Sequence, residues 1–299
     1  MSEQALARFA ADRQAVRARL ERLCADDAVL EQCGVAGDAI RYSLLGSGKL
    51  LRPVLVLAAY RAAGGCRDAT FLAAAVEVVH AYSLVHDDLP CMDDDAMRRG
   101  RPTTHRMFGQ TVAAVAGVAM VPLAVRWASH GAAVLSLPEA ARGAIVRELM
   151  RASGASGMVG GQLLDLEAEG RPLTLAELER IHAGKTGALM RAATRVGALA
   201  AESSATAYAA LDGFGEALGL AFQIADDVLD ATATSEQLGK TAGRDAAMRK
   251  TTFPTLLGVD GAVRRAHDVI DGACEALDDS ALLTDDLRAL ARFAVERSH

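Results

Sequence analysis

Aromatic residues are scarce in this chain, 4% of 299 positions with a single tryptophan, so its core must close through small side chains packed tightly together. Alanine supplies them, and hydrophobic content of 51% is ample for a buried core. Runs of alternating β-branched residues are missing, which leaves no basis for a sandwich or barrel. Basic charge is not in excess either: 32 Lys and Arg against 38 Asp and Glu give a net charge of -6, which argues against nucleic acid as a partner. The five cysteines, Cys24, Cys33, Cys66, Cys91 and Cys274, have neither paired nor metal-ligand spacing; a reduced, cytoplasmic setting is the expectation. Residues 1–23 lack a basic start followed by an apolar run and a cleavage site, so a signal peptide is not expected. Long uncharged runs are nearly absent. The one from Met107 to Val125 contains Gln110, Thr111, two glycines and Pro122, and is expected to be a buried central helix with no membrane span.

What remains is helical periodicity almost throughout, punctuated by Gly64-Gly65, Ser136-Leu137-Pro138, Ser153 to Gly157 and Glu169 to Pro172. Capping boxes are expected at Ser136 with Glu139 and at Thr174 with Glu177. No polar linker or composition break divides the chain, so residues 1–299 read as one all-α domain, a large bundle with its ligand site between facing helices. Gly160 and Gly161 weaken an apolar helix, which predicts a close backbone approach or a kink there.

The informative stretch runs from Glu77 to Pro102. An apolar helix with Val78, Val79, Ala81, Tyr82, Leu84 and Val85 ends in Asp87, Asp88, Asp93, Asp94 and Asp95, and Arg98-Arg99 follows. Two carboxylates about 4 Å apart repel by about 4 kcal/mol at an effective dielectric of 20, so the cluster calls for cations. Mg²⁺ is the expected one, being held by one or two carboxylates together with substrate phosphates. Pro90 ends the helix and lets Asp93 fold back towards Asp87. A second cluster, Asp226, Asp227 and Asp230, lies in the apolar segment Phe222 to Asp230, with Gln223 on nearly the same face. Acids on an apolar helix face must be paired or bind metal. Two such clusters suggest opposing walls of one cavity holding several Mg²⁺ ions around a diphosphate. Lys49, Arg52, Arg98, Arg99, Lys185, Lys240 and Lys250 lie near them as candidate diphosphate clamps.

With these residues in view, the chain resembles the trans (head-to-tail) isoprenyl diphosphate synthases, nearest their short-chain bacterial farnesyl branch. The resemblance rests on Gly48-Lys49-x-x-Arg52-Pro53, His80, Asp87-Asp88-x-x-x-x-Asp93 with Arg98-Arg99-Gly100, and Gly160-Gly161-Gln162-x-x-Asp165. It continues with Lys185-Thr186-Gly187, Gln223-x-x-Asp226-Asp227-x-x-Asp230, and Lys240 with Asp245 and Lys250. It implies an isoprenoid synthase-type helical bundle with a central cavity, a homodimer, and two substrate pockets. In the first, Asp87, Asp88, Asp93, Asp226, Asp227 and Asp230 hold Mg²⁺, with Mn²⁺ possible, around an allylic diphosphate touched by Arg98, Lys185, Lys240 and Lys250. Thr186 and Gln223 serve the reacting centre. In the second, Gly48, Lys49, Arg52, His80 and Arg99 hold isopentenyl diphosphate.

Product length depends on what lies behind the first aspartates. Tyr82 stands five residues before Asp87, about 7.5 Å along a helix. With Ser83 it is the candidate pocket floor, and by resemblance an aromatic there goes with a C15 product. His86 and His182 are read as structural. The chain departs from the family at Val118, where an aspartate is common, at Leu50, commonly basic, and at Ser47, commonly glycine. The competing readings are a longer-chain synthase, a class I terpene cyclase, whose second motif would be asymmetric, and a silent partner subunit.

Overall fold

The computed structural model describes residues 7–232 and 250–296. Helices α1 (Ala10–Asp26), α2 (Ala28–Gln32), α3 (Val35–Leu44) and α4 (Leu51–Ala62) lead to α5 (Thr70–Asp87). Two short strands, β1 (Met97–Arg98) and β2 (Arg101–Pro102), separate it from α6 (Thr104–Phe108) and α7 (Gln110–Val134). Next come α8 (Glu139–Ser153), α9 (Met158–Glu167) and α10 (Leu175–His182), after which a π-helical turn, Ala183–Gly187, runs into α11 (Ala188–Ala200). The described chain then continues through α12 (Ala205–Thr232), α13 (Phe253–Leu257), α14 (Val259–Asp279) and α15 (Asp285–Glu296). The all-α expectation holds.

The core is organised on α5. Leu72, Ala73, Ala74, Ala75, Val76 and Val78 point to different sides of it and all are fully buried. A helix apolar all round has to be enclosed, and α1, α3, α4, α7, α8 and α11 enclose it. One cluster of buried side chains extends from Phe9 to Ala294. The scarcity of rings is matched by close backbone contacts. At Gly197 in α11 an added Cβ would lie 2.7 Å from Tyr60 N and Val56 O of α4.

The capping box at Thr174 is present, with Thr174 Oγ1 accepting from Glu177 N and Glu177 Oε2 accepting from Thr174 N. The one at Ser136 is not. Pro138 occupies the position before α8, with φ -63° and ψ 155°, so the helix starts beyond the reach of Ser136. The run from Met107 to Val125 is only half-buried: Ala113, Ala116, Met120 and Ala124 face the core, while Val115 and Val118 are 53% and 66% exposed. Uncharged residues cover both faces of a helix whose inner stripe alone is packed. By length and composition α7 is the described helix that could cross a membrane, with 44% of its most apolar window buried inside the protein. The antiparallel pair β1–β2 has no β-branched signal; it exists because Arg99 and Gly100 both take positive φ, 51° and 75°, as a tight primed turn requires.

Replacing Gly197 by alanine would force α4 and α11 apart, and overpacking of this kind costs about 1–3 kcal/mol. In a urea titration the midpoint should fall with the slope unchanged; an unaltered midpoint would mean the two helices separate freely.

Candidate active site

Helix α5 ends at Asp87 because Asp88, Leu89 and Pro90 turn the chain away. Asp93 N then donates to Asp87 O at 2.8 Å, which returns Asp93 to the helix end as the sequence predicts. Asp88 is buried, 3% exposed, and accepts from Arg98 Nε at 2.5 Å, while Arg98 Nη2 donates to Asp95 Oδ2 at 3.0 Å. Burial pushes the Asp87 carboxyl up to about 6; Lys185 pulls it back and Asp93 adds to the rise. Burial likewise raises Asp88 to about 6, against the pull of Arg98. Burial is the main cause at both carboxyls, and a nearby cation opposes it at each.

Lys185 and Thr186 sit on the π-helical turn, whose extra residue per turn re-aims them from the path a continuous α-helix would follow. Gly161 makes that turn possible. An added Cβ there would lie 2.1 Å from Lys185 N, so the predicted close approach is between α9 and the π turn. Lys185 Nζ and Lys250 Nζ both donate to Asp165 Oδ2, at 2.7 and 2.9 Å. Thr186 Oγ1 donates to Gln223 Oε1 at 2.8 Å, and Gln223 Nε2 to Asp227 Oδ1 at 3.3 Å. Asp227 is buried and also accepts from Phe253 N at 3.1 Å, whereas Asp226 and Asp230 are half-exposed on the last turns of α12. His182, read as structural, stacks on Phe253 with its Nε2 3.6 Å from Asp227.

A second polar group assembles around His80. Its Nε2 lies 3.3 Å from Arg52 Nη1 and 3.2 Å from Arg99 Nη2. Guanidinium groups only donate, so Nε2 is the acceptor and the ring proton is on Nδ1. Burial, together with Arg52, Arg99 and Arg98, holds this imidazole well below its ordinary range, and it is neutral. Gly48 gives Arg99 its place: an added Cβ would stand 2.5 Å from Arg99 Nη1. Lys49 Nζ lies 5.9 Å from the centre of the Phe293 ring. The primed turn explains why adjacent arginines diverge, Arg98 to the acidic loop and Arg99 to His80.

Tyr82 is buried, 5% exposed, and its hydroxyl donates to Ser153 O at 2.8 Å. Its ring meets His86 edge-on at 5.5 Å. Ser83 Oγ turns back to His80 O at 2.9 Å. Lys240, Asp245 and Arg297 lie outside the described residues. A separate cavity of about 520 Å³ is lined by Arg151, Gly160, Gly161, Arg180, Gly184 and Arg191 and includes none of the aspartates.

Among the described residues no three His, Cys, Asp or Glu side chains stand close enough to hold a metal by themselves. The donors at Asp87 and Asp93 nonetheless suit Mg²⁺, whose hard-oxygen sphere is completed by water and substrate phosphate.

The residues matched by the polyprenyl synthetase model run from 35 to 287. The farnesyl diphosphate synthase of Escherichia coli K12 is 46% identical over 271 residues, 87% of this chain and 89% of that protein. The chain belongs to the polyprenyl synthetase family. As a member it is a prenyltransferase with trans-prenyl diphosphate synthase activity. Chloroplastic geranylgeranyl pyrophosphate synthase 7 of Arabidopsis thaliana is also similar, 42% identical over 268 residues, 88% of this chain and 76% of the relative. Among solved structures, the geranylgeranyl pyrophosphate synthetase of Pyrococcus horikoshii superposes with a TM-score of 0.86 at 31% identity, covering 99% of both chains. The geranyltransferase of Helicobacter pylori, solved in complex with magnesium and isoprenyl diphosphate, gives 0.81 at 30% identity over 98% of each. The family is metal-dependent.

Two residues escaped the sequence reading. Asp165 appears there only as part of a motif, because the lysines it holds are 20 and 85 residues away. Glu77 fits the apolar periodicity of α5 and gives no signal, yet it is buried with Oε2 lacking a partner. Burial raises it to about 7, against the pull of Arg99, Arg52 and Arg17. The folded chain therefore keeps the Glu77 proton to about pH 7, while an unfolded glutamate loses it near 4.3. Between those values the native state binds more protons, so Glu77 lowers stability as pH rises. Glu77→Gln should gain about 3 kcal/mol on the wild type between pH 5 and pH 8, at 1.36 kcal/mol per unit, in paired denaturation curves. A difference independent of pH would contradict the assignment.

Proposed function

We propose that the protein condenses isopentenyl diphosphate with dimethylallyl and then geranyl diphosphate to give (E,E)-farnesyl diphosphate and diphosphate. The observation that carries the C15 length is Tyr82, whose buried ring is fixed by its hydrogen bond to Ser153 O and so cannot swing aside for a longer chain. In this reading Asp87, Asp88, Asp93, Asp226, Asp227 and Asp230 hold Mg²⁺, or Mn²⁺ in its place. When bound, the ions neutralise the charge gathering on the leaving diphosphate as the allylic C–O bond breaks. Arg98, Lys185, Lys240 and Lys250 donate to the same oxygens. Thr186 and Gln223, already hydrogen-bonded to each other, present their dipoles to the allylic carbon.

Lys49, Arg52 and Arg99, with Gly48 leaving room, grip isopentenyl diphosphate, and the neutral His80 keeps the two guanidiniums aimed. Held there, the double bond attacks the allylic carbon, and proximity supplies much of the acceleration. A proton then leaves to the departing diphosphate and the new trans double bond closes.

We read residues 1–299 as a single domain and the active form as a homodimer. The exposed apolar residues Val115 and Val118 on α7 support such an interface, and Val118 in place of the family's common aspartate makes it drier. The five unpaired cysteines favour the cytoplasm as its compartment.

Purified protein, isopentenyl diphosphate and Mg²⁺ should convert dimethylallyl and geranyl diphosphates to a C15 product, with little extension of farnesyl diphosphate; EDTA should stop the reaction and Mg²⁺ restore it. Tyr82→Ala should shift the product to C20. C20 from the wild type would keep the chemistry and discard the floor, and no product at all would overturn the proposal.

A further inference from the structure

Asp165 belongs to neither acidic cluster and is not a member of the metal-binding set, yet it is the point on which two of the proposed diphosphate clamps converge. Lys185 Nζ at 2.7 Å and Lys250 Nζ at 2.9 Å donate to the same oxygen, Oδ2. The three side chains are largely withdrawn from solvent, with exposures of 15% for Asp165, 27% for Lys185 and 17% for Lys250. They come from three separate parts of the chain: α9, the π turn, and the residues just before α13. Nothing in local sequence brings the lysines together; the carboxylate does.

We propose that Asp165 is a positioning residue for the allylic diphosphate site, holding the ammonium groups of Lys185 and Lys250 side by side so that an arriving diphosphate meets both at once. The inference rests on the proposed reading of that site. Two ammonium groups brought this close repel each other, and a shared anion between them cancels that repulsion before substrate arrives. An ammonium has three N–H donors. Each lysine commits one to Asp165 and keeps two, so diphosphate need not displace the carboxylate in order to bind. The trio carries a net charge of one positive unit; the half-exposed Glu169, 4.0 Å from Lys250 Nζ, is outside hydrogen-bond range and leaves those N–H donors as a cradle for an anion.

Backbone geometry makes the same assignment. Gly161 and Asp165 are four residues apart on α9 and so share a face. Gly161 lets the π turn approach until its Lys185 amide would touch any Cβ, and Asp165, one turn on, takes the Lys185 ammonium. Helix α9 therefore fixes Lys185 at both ends of its side chain. Lys185 is also the strongest charge acting on Asp87, so the same ammonium faces both the cradle and the acidic loop. Although burial alone would raise it, the two lysines hold the Asp165 carboxyl down at about 2, and it stays ionised throughout the working range.

Steady-state kinetics on the full chain test this, with geranyl and isopentenyl diphosphates varied separately. Asp165→Asn should raise KM for geranyl diphosphate about 10-fold or more, since small misplacements of binding groups are costly, and leave KM for isopentenyl diphosphate nearly unchanged. Asp165→Glu, which keeps the charge, should recover part of the loss. In a Lys185→Met, Lys250→Met background the Asp165→Asn change should have almost no further effect on KM. A merely structural aspartate would give another pattern: a lower melting temperature, both KM values raised together, or a loss that adds fully to that of the lysine variants. Any of these overturns the proposal. If Asp165→Asn does not fold, the Asp165→Glu split between the two KM values decides in its place. If the lysine variants themselves leave KM for geranyl diphosphate unaltered, the reading of the site falls, and the positioning role with it.

Discussion

Carboxylates at the buried end of an apolar helix repel one another, and three departures from regular helix among the described residues bring a positive charge or a donor to carboxylates of the two acidic clusters. The primed turn at Arg99-Gly100 delivers Arg98 to Asp88 and Asp95. The π turn delivers Lys185 to the neighbourhood of Asp87 and Asp93. Asp227, facing the core from α12, is met by the backbone amide that opens α13. These groups do not offset burial, which leaves the Asp87 and Asp88 carboxyls raised; in the proposed reading, bound cations would supply the rest.

The surrounding bundle exists to keep those few parts in place. Because alanines are numerous in the core and rings are few, its helices lie close enough that a shift of one is felt by the next. The Gly161 contact shows the benefit. A single missing methyl group lets α9 touch the π turn, and one helical turn later the same helix holds two lysines from distant sequence.

How much of this was legible beforehand follows from range. The end of α5 at Pro90, the return of Asp93 and the Thr174 cap depend on residues within six positions of each other, and each is as expected. Their physics is local. The π turn has no sequence signature, since glycine at 184 and 187 is equally compatible with a loop; it arises from the fit against α9. The Arg99-Gly100 turn lacks the asparagine or aspartate that usually announces one. The Ser136 cap failed because Pro138 outcompeted it for the helix start. Glu77 gave no signal and Asp165 was legible only as a motif position, for a deeper reason: what distinguishes them is the company they keep across the fold, and a chain read in order gives no access to that. Lys240 and Asp245 lie outside the described residues, and a role for Lys240 belongs to the proposed function alone.

The group around His80 has a property that concerns lone pairs. Arg52, Arg99 and Lys49 can only donate hydrogen bonds, and the acceptor nitrogen of His80 is already occupied by two guanidiniums. Apart from that nitrogen, the polar positions on these four side chains are N–H donors. Phosphate oxygens are acceptors only, so a diphosphate on a hydrocarbon is the complement of such a set of donors. In the proposed reading, that uniformity of donors would favour a ligand whose polar end is all acceptor over one that brings its own hydroxyl hydrogens.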